Sequence, residues 1–191
     1  EGLGGWRRRP RTGERGVPMW RSRKSVALGV FFGMQSMQAY VQFGWIAQMY
    51  RDGGLDQGTA GLMATIIAGF GIPAGLVMPT IVEKVRDMRW IIVGFGVLLV
   101  LGYLGVGLFP TWTPWLWSIF LGISGACFPT ALALMTARTR DHHVTARLSG
   151  FAQSIGYTLA ALGPFLVGWL FQLTGGWVVP LLLLIATSVV M

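Results

Sequence analysis

Apolar residues fall into six long runs, separated by short breaks rich in charge, proline or glycine. The breaks bound candidate spans at 25–50, 58–82, 90–109, 115–136, 148–172 and 177–191. A helix crosses the hydrocarbon core of a bilayer with about 20 apolar residues. All the runs reach that length except the last, which stops at Met191. No Asp, Glu, Lys, Arg or His lies within any of them. The Pro110-Thr-Trp-Thr-Pro114 segment divides what would otherwise be one run from 90 to 136. It reads as a tight turn, with Trp112, Trp115 and Trp117 at headgroup level.

Polar residues are distributed unevenly over the spans. Beyond Trp90 at its edge, the third span has only Tyr103, and beyond Trp177 the sixth has only Thr187 and Ser188. The first carries Gln35, Gln38 and Gln42, which at about 100° per residue share one stripe with Phe31 and Trp45. In the fifth, Ser149, Gly150, Gln153, Tyr157, Ala161, Pro164 and Gly168 share a stripe by the same arithmetic. The fourth offers Ser124, Cys127 and Thr130 around Pro129. Lipid cannot satisfy an amide, which leaves two readings of the glutamines: they line a wet cavity, or they bond between helices at roughly 0.5–1.5 kcal/mol per contact. Gln153 and Tyr157 stand under the same two readings. The spans also contain matched breaks: Gly71-Ile-Pro73-Ala-Gly75 past the middle of span two, and Gly163-Pro164 at similar depth in span five. Breaks at equivalent places suit a 3+3 inverted repeat.

Composition narrows the class. With 53% hydrophobic residues, 12% charged and a mean hydropathy of +0.60, the chain is too apolar for an ordinary water-soluble domain. The net charge of +8 would suggest nucleic acid if it covered a soluble face. Instead Arg7, Arg8, Arg9, Arg11, Arg15, Arg21, Arg23 and Lys24 all precede the first span, as in a basic segment beside anionic headgroups. The other cations, Arg51 excepted, lie in the 83–89 and 137–147 loops, so the tail and these two loops read as cytoplasmic. His142 and His143 fall in the second of them. The expected organisation is a basic cytoplasmic segment over 1–24 and a six-helix transmembrane domain over 25–191. Because the chain starts at Glu1 and ends inside an apolar run, it reads as a piece of a longer protein. Its lone Cys127 reads as a buried small hydrophobe. The spans hold no His, Cys or carboxylate cluster of the kind a metal site, cofactor or hydrolytic centre would need.

The stretches Phe31-Phe-Gly-Met-Gln-Ser-Met-Gln-Ala-Tyr40, Tyr50-Arg-Asp-Gly-Gly-Leu55, Ala68-Gly-Phe-Gly-Ile-Pro73, Ala146-Arg-Leu-Ser-Gly-Phe-Ala-Gln-Ser-Ile-Gly-Tyr157 and Ala160-Ala-Leu-Gly-Pro-Phe-Leu-Val-Gly168 stand out. They resemble the major facilitator superfamily, and within it the cyanate permease and 2-nitroimidazole transporter family. The resemblance implies an all-α membrane protein, the C-terminal half of a twelve-helix fold, supplying helices seven to twelve with the last cut short. Residues 1–24 would end the loop joining the halves. The superfamily's loop motif has a degenerate counterpart at Pro79 to Arg89, with Glu83 and Lys84 at its acidic and basic positions and Pro79 and Arg86 replacing its glycines.

The function expected on this basis is alternating-access transport of a small polar or anionic solute, not an enzymatic reaction. The faces of Gln35, Gln38, Gln42 and Trp45 on one helix and of Gln153 and Tyr157 on another would wall half of the cavity. Partners would be the lipid bilayer, the N-terminal six-helix half and the solute, with no nucleic acid. The location would be a cell (inner) membrane. On this reading, Leu at Gln35 or Gln38 abolishes transport without loss of expression. The rival class is a six-helix scaffold that transports nothing.

Overall fold

A computed structural model describes residues 21–137 and 142–190. Most of the basic tail, including Arg7 to Arg15, lies outside the described residues, as do Arg138, Arg140 and Met191. The described chain is helical: α1 (Arg23–Asp52), α2 (Gln57–Gly69), α3 (Gly71–Lys84), α4 (Arg89–Leu108), α5 (Pro114–Ser124), α6 (Cys127–Ala137), α7 (His142–Thr174) and α8 (Val178–Val190). The pairs α2–α3 and α5–α6 are each one rod with an interruption, so the eight segments make six rods at the positions the apolar runs mark. Four rods are long and apolar enough to cross a membrane: Gln57–Lys84, Arg89–Leu108, Pro114–Ala137 and Ala146–Thr174. α1 has the length, with 30 residues, but Gln35, Gln38, Gln42 and Gln48 dilute its apolar character. His142 and His143 stand in the first turn of α7 rather than in a loop.

Local chemistry sets the ends. Asp56 caps α2 by accepting the Thr59 backbone N–H at 3.0 Å. Gly54 turns the chain between α1 and α2 at φ +103°, and Gly175 turns it between α7 and α8 at φ +68°; both angles lie in the left-handed region that disfavours side chains.

α1 packs against all five other rods. Its Val41, Ile46, Met49 and Tyr50 join Met63 and Ile67 of α2, Leu99 and Tyr103 of α4, Leu121 of α5 and Leu184 of α8 in the main core. The buried Tyr50 hydroxyl ties α1 to the start of α5, donating to the Pro114 carbonyl at 3.1 Å and accepting from the Ser118 hydroxyl at 2.8 Å. α4 turns Trp90, Val93, Val97, Leu101, Leu104 and Leu108 outward. Spacings of three and four put them on one stripe, the face a helix shows to hydrocarbon.

Candidate functional site

The interface between α1 and α7 is a closed seam. A Cβ built on Gly33 would stand 2.5 Å from Leu159, and one on Gly168 2.6 Å from Trp45. Phe32 presses still closer on Gly156, and Met37 on Gly163. Phe32, Met37 and Trp45 of α1 thus fill notches left by glycines of α7, and Leu159 of α7 fills the one at Gly33 of α1, the close approach that small residues permit between membrane helices. Trp45 is fixed further by its indole N–H, which donates to the Pro164 carbonyl at 2.9 Å, and by an edge-on contact with Trp177 at 5.8 Å.

The glutamines face α4, α8 and the α5–α6 rod, on a stripe of α1 that borders this seam at Trp45. All three are buried: Gln35 and Gln38 are 3% exposed and Gln42 is 5% exposed. Gln38 is a hub joining three rods. Its Nε2 lies 2.8 Å from both the Leu184 carbonyl and Thr187 Oγ1, and 3.1 Å from Ser188 Oγ, all on α8. Its Oε1 accepts from Tyr103 of α4 at 2.7 Å. Gln42 Nε2 donates to the same Tyr103 hydroxyl at 3.3 Å. Hydrogen bonding between helices, one of the two readings open from the sequence, therefore describes Gln38. Among the described residues, Gln35 Nε2 reaches only Ser36 Oγ, at 2.9 Å on its own helix. On α7, Gln153 Nε2 donates to Ser149 Oγ at 2.7 Å within the helix. Tyr157 is 46% exposed and meets Phe32 edge-on at 5.9 Å.

A large open space lies elsewhere, in a groove of about 930 Å³ bounded by α1, α3 and α6. Tyr40, Phe43 and Phe128 supply aromatic walls, Gly71 and Gly75 an open flank, and Glu83 the one carboxylate, at the α3 end. Of the six cavity residues expected from the sequence, only Gln42 lines it. The aromatic walls escaped the sequence reading because Tyr40, Phe43 and Phe128 look like ordinary span residues; the prolines beside them were the available signal.

Those prolines interrupt the helices. Pro73 has no N–H to give the Gly69 carbonyl, and the ladder breaks at Phe70. Pro129 likewise cannot serve the Gly125 carbonyl, which accepts the tighter Phe128 N–H bond at 3.1 Å instead, so α5 ends and α6 begins. The two interruptions are neighbours: the Phe70 ring sits where a Cβ on Gly122 would be, 2.5 Å away. By contrast, α7 continues through Gly163 and Pro164 without interruption. The interrupted rods are therefore the second and fourth, rather than the second and fifth that the Gly-Pro pairs suggested. One absent donor does not stop a helix whose flanks are held by a packed neighbour, and Met37 and Trp45 hold α7 there.

Apolar spans, an outward lipid face and a groove bounded by two interrupted helices define a polytopic membrane protein. Similarity to known proteins agrees. The chain is 33% identical over 175 residues, 91% of its length, to an uncharacterized transporter of Bacillus subtilis, YycB, of which it covers 44%. It is 32% identical over 165 residues to the 2-nitroimidazole transporter of Escherichia coli, covering 86% of this chain and 42% of that protein. It is 26% identical over 151 residues to the cyanate transport protein CynX of Escherichia coli, covering 78% of this chain and 39% of that protein. The curated relatives are thus transporters, which is consistent with the resemblance to the cyanate permease and 2-nitroimidazole transporter family of the major facilitator superfamily. The chain spans less than half the length of these relatives. No family model matches the chain, and no solved structure meets the standard of similarity these relatives meet.

Proposed function

We propose that the chain supplies helices seven to twelve of a twelve-helix transporter with 3+3 repeats, which moves a small polar solute by alternating access. The observation that carries this reading is the groove, whose walls contain both helix interruptions. A bilayer-embedded groove of about 930 Å³ with flat aromatic walls suits a planar solute. Rocking of the missing N-terminal half against this one would open it to each side in turn. The relatives' names supply the candidate solutes, 2-nitroimidazole and cyanate. Charge asymmetry between the loops favours a cytoplasmic basic tail in a cell inner membrane.

The test is uptake of both solutes by the full-length parent protein in proteoliposomes. Gly75→Leu projects into open space, with nothing within 4 Å of its Cβ, and fills the groove. Wild type should accumulate at least one solute and Gly75→Leu neither. Equal uptake by both proteins would move the solute path elsewhere. No uptake by either would favour a scaffold.

A further inference from the structure

A small recess of about 20 Å³ lies behind the groove, beside the α5–α6 interruption, and is lined by Gln35, Gln38, Gln42, Ser124 and Cys127. Ala39, Gln42 and Gly125 border both spaces, so the recess adjoins the groove across the broken helix. A single water needs roughly 10–15 Å³; the recess holds one such atom and has no room for a second group.

The hydrogen-bond inventory around it is one-sided. Gln38 is committed at both ends, to α8 through Nε2 and to Tyr103 through Oε1. Those partners also fix its amide orientation. Gln35 gives an N–H to Ser36 and Gln42 gives one to Tyr103, but neither side-chain carbonyl accepts a bond from the described residues. Ser124 Oγ donates its one proton to the Leu121 carbonyl at 2.7 Å, which leaves it only lone pairs to offer. The recess, a space for one atom, is thus lined by residues that carry two amide oxygens and a hydroxyl oxygen with lone pairs to offer. Neither amide oxygen is a fully enclosed atom without a partner, a state that among the described side chains belongs to Thr113 Oγ1, so both stay open to a donor that enters from the groove.

We infer that the recess is the acceptor end of the solute site. It takes one N–H or O–H group, from a water when the groove holds no solute and from the solute's own donor when it does. The inference rests on the proposed transport function and sharpens its substrate class. The favoured solute is a planar molecule with a ring N–H or hydroxyl at its edge, and a donorless anion such as cyanate is disfavoured.

The probes are 2-nitroimidazole and 1-methyl-2-nitroimidazole, which differ by the ring N–H, measured by equilibrium binding to the purified full-length parent. The N–H form should bind about tenfold tighter or better, a step of about 1.4 kcal/mol. Gln35→Met, which keeps volume and removes the acceptor, should erase the preference. Equal affinities in wild type, or a preference that survives Gln35→Met, would overturn the inference. If neither probe binds, the choice of solute fails, and a high-resolution map of the same protein without solute decides the recess. One density peak within hydrogen-bonding distance of Gln35 and Ser124, lost in Gln35→Met, upholds the donor site; a recess without density in wild type refutes it.

Discussion

The α1–α7 seam and the α1–α3–α6 groove are both built on glycine, and they use it in opposite ways. In the seam, Phe32, Met37 and Trp45 of α1 enter the notches at Gly156, Gly163 and Gly168. In the groove, Gly71 and Gly75 face nothing within 4 Å. A missing Cβ is thus a socket in one place and open room in the other. Function and stability should therefore separate along this line: the seam tolerates no side chain, and the groove tolerates one at the expense of its ligand.

The largest effect should come from putting the same residue on both sides. Gly156→Leu drives a side chain into the Phe32 ring, and overpacking of this kind costs about 1–3 kcal/mol or more. The full-length protein in detergent should lose most of its monodisperse yield and melt earlier by tryptophan fluorescence. Gly75→Leu should leave yield and melting near wild type while removing uptake. If both variants melt alike, the contrast between socket and open room is wrong.

Much of this contrast was out of reach of sequence periodicity. Hydropathy located the rods to within a few residues because each rod must present apolar surface to lipid or to its neighbours. Periodicity also put Gln35, Gln38 and Gln42 on one face of α1. It does not say which neighbour that face meets, and the neighbour decided the outcome. Tyr103 and the Thr187–Ser188 pair, the few polar residues of two otherwise apolar spans, turned out to be the partners of Gln38. Read together across spans, those isolated polar positions could have suggested the pairing. The Gly-Pro pairs were less informative. Whether a proline interrupts a helix depended on packing, as with Phe70 on Gly122 and Trp45 on Gly168, and packing is non-local.

The glutamine network gives the second prediction. Leu at Gln38 or Gln35 was expected to stop transport and spare expression alike; the structure now separates the two. Gln38→Leu takes the acceptor from the Tyr103 hydroxyl and a donor from Thr187 and Ser188, which keep bonds to their own helix, and should destabilise by about 1–3 kcal/mol, the penalty for an orphaned buried polar group. Gln35→Leu removes a bond to its own helix neighbour only and should cost well under half as much. Thermal melting of both variants checks the order, and equal losses would mean that Gln38 is no hub. Tyr103→Phe should fall between them, since it breaks the Gln38 and Gln42 contacts but leaves those to α8 intact.

The smallest effect is at the solvated end of α2, away from both seam and groove. The Asp56 carboxyl sits below its ordinary value of 3.8, chiefly because the Thr59 side chain and then its backbone N–H hydrogen-bond the charged form. A carboxyl whose folded value is depressed adds stability above its unfolded value and loses it as pH falls through the folded one. Asp56→Ala should therefore lower the melting temperature slightly at neutral pH. The gap to wild type should hold from pH 7 to about pH 5 and narrow below about pH 4. It should not close fully, because a protonated Asp still accepts the Thr59 N–H through its carbonyl oxygen. A gap constant down to pH 2 would show that the cap works as a neutral acceptor alone. A gap as large as that of Gly156→Leu would mean that the α1–α2 turn, rather than the glycine seam, holds the bundle together.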